Sequence, residues 1–369
     1  MLKLKGFIKE NVVMLIAAAC AIITSFIVPP DEKYIEYFDF KTLTCLFCVL
    51  AVVCALRNVR FFYTLAKAIV RRFKNTKTTI LALVYITFIG SMLIANDMAL
   101  LTFLPLGYFI LHTTGKDKYM AFAFIMQNIA ANLGGMLTPF GNPQNLYLYT
   151  KFNIPDAEFI SIMLPPFMVS IALITVCCLI FVKSESIEIQ EKVAELPALR
   201  VSIYLLLFTL SILIVFRAVP FQIGLVTIFL SLLFLDRRAL LEVDYGLLLT
   251  FVFFFIFAGN MSRMDVVREF FAGLLSINTF LFSALSCQLI SNVPSAILLS
   301  QFTDNYKELL LGVNIGGVGS MISSLASLIT LKEYTKQDPK HTVGYILKFS
   351  LYNFAFLIIL VLFCIIFEI

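Results

Sequence analysis

The chain has 369 residues, 60% of them hydrophobic and 14% charged, with a formal net charge of +5. About a quarter of the residues of a soluble domain are charged, so this composition excludes an ordinary water-soluble enzyme or binding module. In a chain this apolar the placement of the charges matters more than their sum, and no nucleic-acid partner is expected.

Several apolar runs reach the ~17–25 residues a helix needs to cross a bilayer. The fold class is therefore an all-α polytopic membrane protein. The first run begins at Asn11 and has no small-residue cleavage site after it, so it reads as a retained span. Spans are predicted at about 11–29, 40–56, 119–150 (interrupted), 159–182, 200–216, 221–235, 245–262, 307–333 (interrupted) and 343–367. Residues 278–303 are too few to cross twice, because two helices of about 13 residues reach only ~20 Å each. "SNVP" (291–294) would break a single crossing at depth. A re-entrant hairpin with its tip there fits better. By analogy 78–112 is a hairpin with its tip at "AND" (95–97). Segments 61–73 and 264–275 are amphipathic, each directly precedes a hairpin, and each is expected to lie in the interface. The expectation is about nine transmembrane helices, two re-entrant hairpins and two discontinuous helices.

With the N-terminus in the cytoplasm, 21 Lys and Arg fall inside, Lys3, Lys5 and Lys9 among them, and 7 outside, of the 28 in the chain. This obeys the positive-inside rule, and nine spans, with the hairpins counted as non-crossing, place the C-terminus outside. The eight Cys all lie in apolar runs and read as small buried hydrophobes. Cys45 and Cys48 form a lone CxxC, a weak metal signal.

A polar linker at 184–199 divides the chain into halves, 1–183 and 200–369, and the halves echo each other. "LIAN" (93–96) matches "LISN" (289–292) at a distance of 196 residue numbers; "NLGG" (132–135) matches "NIGG" (314–317) at 182. The order of elements also matches. The topology brings the hairpins in from opposite faces, so the repeats are inverted, and inverted repeats with broken helices are the mark of secondary transporters. Broken backbone inside a bilayer must line a cavity or be satisfied by other protein groups. Gly-rich breaks let carbonyls approach a cation, and half-helix N-termini suit an anion. Candidate substrate residues are Asn96, Asp97, Thr138, Pro139, Asn142, Pro143, Ser291, Asn292, Val293, Pro294 and Ser320; candidate ion residues are Asn96, Asp97, Asn132, Gly134, Gly135, Gly141, Asn292, Asn314, Gly316 and Gly317. A carboxylate at mid-depth costs about 2.5–3.5 kcal/mol on insertion scales, which points Asp97 to a cation, a proton or an aqueous cavity.

The hairpin tip "AND", the break "NLGGMLTPFGNPQN" (132–145), and "SNVP" and "NIGG" resemble the citrate-transporter-like permeases of the ion transporter superfamily. Divalent-anion/sodium symporters and arsenite permeases are relatives within it. In the divalent-anion symporters each tip bears Ser-Asn-Thr, which contacts substrate carboxylate and helps form a sodium site. Here the tips read Ala95-Asn96-Asp97 and Ser291-Asn292-Val293, so Asn is kept twice, Thr is lost twice and Ser is lost once. Asp97 resembles the arsenite-permease branch. Those symporters carry Gly-Thr-Pro-Pro-Asn in the first break, where this chain has Gly141-Asn142-Pro143-Gln144-Asn145. The resemblance implies a plasma-membrane homodimer with a fixed scaffold and a moving transport domain, linked by 61–73 and 264–275. It implies a cation-coupled, elevator-type carrier of a small anion, either a di/tricarboxylate or an inorganic oxyanion. Sodium is a candidate coupling ion beside protons, and no other cofactor or metal is expected. An arsenite or antimonite efflux permease, or a sodium–proton antiporter, is the alternative. An intramembrane enzyme is disfavoured, since the chain has no HExxH and no GxSxG-type nucleophile. A TVGYG-type channel filter is also lacking.

Overall fold

The computed structural model describes residues 11–187 and 196–368. Lys3, Lys5, Lys9 and the middle of the linker lie outside the described residues.

The described chain is almost wholly helical. Its elements are α1 (Val12–Ile27), α2 (Phe40–Asn58), α3 (Phe61–Val70), α4 (Thr76–Ile94), α5 (Asn96–Thr113), α6 (Met120–Gly134), α7 (Pro143–Lys151), α8 (Asp156–Phe181), α9 (Ala198–Val215), α10 (Phe221–Leu235), α11 (Arg237–Leu241), α12 (Tyr245–Ser262), α13 (Asp265–Ile290), α14 (Asn292–Leu299), α15 (Tyr306–Ile315), α16 (Leu325–Gln337) and α17 (Thr342–Ile366). Among the described residues eight helices are long and apolar enough to cross a membrane. The protein is an integral membrane protein of all-α class.

Short polar residues start these helices by satisfying orphan first-turn amides. Asp39 accepts from the Thr42 amide at 2.9 Å, Asn75 from Lys77 at 2.9 Å and Asp244 from Leu247 at 2.9 Å. Pro143 occupies the first position of α7, where its missing N–H loses nothing. The breaks in the two interrupted spans fall at 135–142 and 316–324, in the Gly-rich stretches. Helix α13 runs continuously from the amphipathic segment into the second hairpin, but Asn278 leaves the helical region at φ −166°, ψ 98°. Its side chain caps the renewed helix by accepting from Leu281 N at 2.7 Å. The predicted start of the hairpin at 278 is therefore a real break.

Helix α1 packs along α12, and α2 packs against α9 and α10. The first hairpin, α4–α5, packs on α6, while the second, α13–α14, packs on α15. Helix α16 crosses to α5 and α6. Helix α7 lies between α2 and α14, and α14 also touches α12. Both hairpin tips are thus enclosed by helices distant in sequence.

Candidate functional site

The two hairpins turn on single residues with positive φ: Ala95 (φ 65°, ψ 152°) and Ser291 (φ 75°, ψ 158°). This region suits glycine and costs other residues about 1–3 kcal/mol, so the surroundings must hold it. They do so in the same way twice. The Asn96 amide donates to Gly141 O at 3.2 Å, and the Asn292 amide to Ser323 O at 2.9 Å. Each Asn Oδ1 accepts from the next amide, Asp97 or Val293, at 2.9 Å. Thr138 Oγ1 donates to Met92 O at 2.7 Å, and Ser320 Oγ to Gln288 O at 3.0 Å. In each of these tip-to-break pairs the hairpin positions differ by 196 residue numbers and the break positions by 182, the offsets of the sequence echo.

The tips meet at one cavity of about 210 Å³. Its lining includes Asn96, Asp97, Pro143, Gln144, Ser291, Asn292, Val293, Pro294, Leu325, Thr250, Asp244 and Lys332. Six helices line it with first-turn residues: α1 at Val12, α5 at Asn96, α7 at Pro143, α12 at Gly246, α14 at Asn292 and α16 at Leu325. Each N-terminus carries roughly half a positive charge, so together they make a field for an anion without a buried cationic side chain. The volume is below the ~300–1,000 Å³ of pockets for drug-sized ligands, which fits a small solute.

Acceptors without partners belong to two of the lining residues and one beside them. Asp97 Oδ1 and Gln144 Oε1 are buried and unbonded, and so is Asn142 Oδ1 just behind them. A buried acceptor with no donor is costly, and a cation, a proton or a hydroxylated solute would satisfy it.

Seven sequence-predicted residues line the cavity: Asn96, Asp97, Pro143, Ser291, Asn292, Val293 and Pro294. Asn132, Asn142 and Asn314 form a buried network behind it, which joins the two halves. Asn96 Nδ2 donates to Asn132 Oδ1 at 3.1 Å, Asn142 Nδ2 to Asn314 Oδ1 at 3.3 Å and Asn314 Nδ2 to Asn145 Oδ1 at 2.6 Å. Thr138 and Ser320 brace the hairpins from the breaks, and Pro139 is a buried turn residue beside Thr138. Gly134 and Gly316 are where backbones meet. An added Cβ would lie 2.2 Å from Phe88 O at the first and 2.8 Å from Ala284 O at the second. At Gly135 a Cβ would lie 2.4 Å from Asn142 Oδ1, at Gly141 2.4 Å from Gly135 O and at Gly317 3.2 Å from Asn292 Nδ2.

Sequence reasoning missed Gln144 as a cavity residue, and it missed Asp244, Thr250 and Lys332. Gln144 had a signal, since it follows the Pro that starts α7. Asp244 and Lys332 lie far from the motifs and are brought in only by tertiary packing. Gln288 was also missed: its Nε2 donates to Gly316 O at 2.9 Å and Val318 O at 3.2 Å, and its Oε1 accepts from Ser320 N at 2.8 Å.

Comparison with known proteins agrees with this architecture. An uncharacterized transporter of Methanocaldococcus jannaschii is 32% identical, over 86% of this chain and 88% of its own. The inner membrane protein YbiR of Escherichia coli is 28% identical, over 84% of each chain. The silicon efflux transporter LSI3 of Oryza sativa subsp. japonica is 26% identical over 40% of this chain and 30% of its own. Residues 3–306 match the citrate transporter family. With its two tips, two breaks and shared cavity, the chain belongs to that family of membrane transporters.

Proposed function

We propose that this transporter is a secondary active carrier of a small anion, coupled to sodium or protons. The observation that carries the reading is the convergence of six helix N-termini on one cavity lined by Asp97, whose buried Oδ1 has no hydrogen-bond partner. The N-termini favour negative charge on the solute. Asp97 favours a cation or proton beside it, so the two bind better together than apart. A di- or tricarboxylate or an inorganic oxyanion has the needed charge and acceptor oxygens. The paired hairpins, one from each half, support an elevator-like exchange of access in a homodimer. The charge distribution supports a cytoplasmic N-terminus and an outer C-terminus in the plasma membrane.

A second reading is efflux of a hydroxylated metalloid acid such as arsenite. It draws on the unbonded Asp97, Gln144 and Asn142 oxygens, which can accept from substrate hydroxyls. A relative named as a silicon efflux transporter supports that class.

The test is uptake into proteoliposomes of citrate, sulfate, phosphate and arsenite under an imposed sodium or pH gradient. An anion should accumulate only with the gradient, and Asn96→Ala or Asn292→Ala should abolish accumulation in protein that stays monodisperse. Gradient-independent current, or normal uptake by both variants, would sink the reading. Arsenite export with no anion uptake would transfer it to the second.

A further inference from the structure

A second pocket lies at the other end of the helix pair that walls the cavity. The cavity takes Pro143 and Gln144 from α7, and Gly246, Leu247 and Thr250 from α12. The second pocket, of about 390 Å³, takes Thr150 and Lys151 from α7, and Gly259 and Ser262 from α12. Glu36, Asp39 and Lys41 make it polar. Along both helices residue numbers rise together from one pocket to the other. Helix α12 is long and apolar enough to cross a membrane, so its ends, and the pockets beside them, point to opposite faces. From Gly246 to Gly259 the rise is about 20 Å.

Tyr147 and Phe255 form the wall of the second pocket nearest the cavity, and Phe251, which lines neither, packs against both. Tyr147 packs on Phe255 with centroids 5.5 Å apart and on Phe251 at 6.5 Å, and the two Phe rings are 6.0 Å apart. Their exposures are 2% for Tyr147, 0% for Phe251 and 2% for Phe255, so the three rings are packed closed against their neighbours. The Tyr147 hydroxyl is engaged with Ser300 Oγ at 2.9 Å and accepts from Gln301 Nε2 at 3.3 Å. Both partners sit at the end of the second hairpin. Tyr147 is thus fixed to the hairpin side, whereas its ring leans on α12. A shift of α7 and the hairpin along α12 would carry Tyr147 off the two Phe rings.

We propose that this second pocket is the opposite mouth of the transport path, and that Tyr147, Phe251 and Phe255 form the seal between the two mouths. The inference rests on the transport reading above and adds where the solute enters or leaves on the other face. The mouth takes the same small hydrophilic anion, and Lys151, with its Nζ 5.8 Å from the Tyr147 ring centre, stands at its threshold.

Membrane-impermeant maleimide labelling tests this without a substrate. Leu247→Cys and Ser262→Cys are labelled in intact cells and in inverted vesicles, and each site is resolved by peptide mass spectrometry from the eight native cysteines. Residue 247 should react from one face only and residue 262 only from the other. Phe251→Ala, added to Leu247→Cys, should raise labelling of residue 247 from the far face at least about tenfold. Phe255→Leu, a smaller change, is measured beside it should the Ala variant not reach the membrane. Labelling of 247 and 262 from the same face overturns the proposal, as does one-sided labelling of 247 in seal variants that reach the membrane. Absence of anion uptake alongside the expected labelling would count against the transport reading alone.

Discussion

The first hairpin has arms of 19 and 18 residues, whereas the second joins residues 279–290 to an arm of 8. The long arms of the first could nearly span the ~30 Å hydrocarbon core; the short ones of the second could not. The tips are nevertheless alike in backbone angles and in the bonds that hold them to the breaks. Arm length therefore does not set the tip. Tip geometry follows from a positive-φ residue, an Asn that turns back on its own helix, and a break whose carbonyl takes the Asn amide. The halves differ in charge: the residue after Asn is Asp97 in the first and Val293 in the second. Helix starts from both halves line the cavity, while the carboxylate at a tip belongs to one.

That asymmetry can be broken most sharply at Asp97. Asp97→Asn should lower cation-driven uptake by about 10–100-fold, the range for losing a charged hydrogen bond of roughly 1.5–3 kcal/mol. Dependence on the sodium or pH gradient should go with it. Val293→Asn, at the matching site, should change uptake by no more than about threefold. Equal losses from both, measured in the same proteoliposomes, would mean that the tips share the coupling ion.

The likeness of the halves is tested at the glycines that meet the hairpin arms. Gly134→Ala forces its Cβ against Phe88 O, and Gly316→Ala forces its own against Ala284 O, backbone atoms that cannot turn aside. Each should destabilise by about 1–3 kcal/mol, the usual cost of overpacking. Thermal unfolding in detergent should show a clear drop for both. Gly273→Ala, with nothing within 4 Å of the added Cβ, should show none. A drop at Gly134 alone would show that the second hairpin is looser on its break than the first.

Much of this frame was legible in the sequence. The helix starts at 221 and 245 are marked by Pro220 and Asp244, local signals that reading can use. The break at Asn278 follows from an Asn placed where an amphipathic run gives way to an apolar one. The "LIAN/LISN" and "NLGG/NIGG" echoes located both tips and both breaks, because close backbone contact demands the same small and polar residues twice. What stayed hidden depends on which distant helices meet. Asp244 lies in no motif and Lys332 counts only among the inside charges, yet both line the cavity. Asn128 and Asn353, which bond across the core at 3.4 Å, carry no local mark that separates them from any polar residue in an apolar run.

A subtler difference between the tips lies in their strain. Ala95→Gly should relieve the positive-φ penalty and raise stability by up to about 1 kcal/mol, since glycine also frees the unfolded chain. Ser291→Gly should gain less, because it forfeits the Oγ contacts to Asn292 Oδ1 and Ser323 O, both 3.4 Å. Unfolding temperatures of the pair should fall in that order. The reverse order would mean that Ser291 Oγ is dispensable and that its tip is the more strained.

The smallest expected effect concerns the bases of the hairpins. The second base is held by Glu308, whose carboxylate accepts from Phe280 N at 3.0 Å. The first is strapped from outside by the start of the linker. Glu185 O accepts from Thr76 N at 2.8 Å, and the Glu185 carboxylate binds Lys116 and Lys118 at 2.6 Å each. Hydrogen bonds from those two ammonium groups hold the Glu185 carboxyl down to about 2, below its ordinary 4.5. A depressed carboxylate adds stability that is complete above its unfolded value and is lost as pH falls through the folded one. The unfolding-temperature gap between the native chain and Glu185→Gln should therefore be widest at neutral pH and close between about pH 4.5 and 2. Because the strap faces solvent, molar salt should narrow the gap at neutral pH as well. A gap indifferent to both would show that the linker grips the first hairpin through its backbone bond to Thr76 rather than through charge.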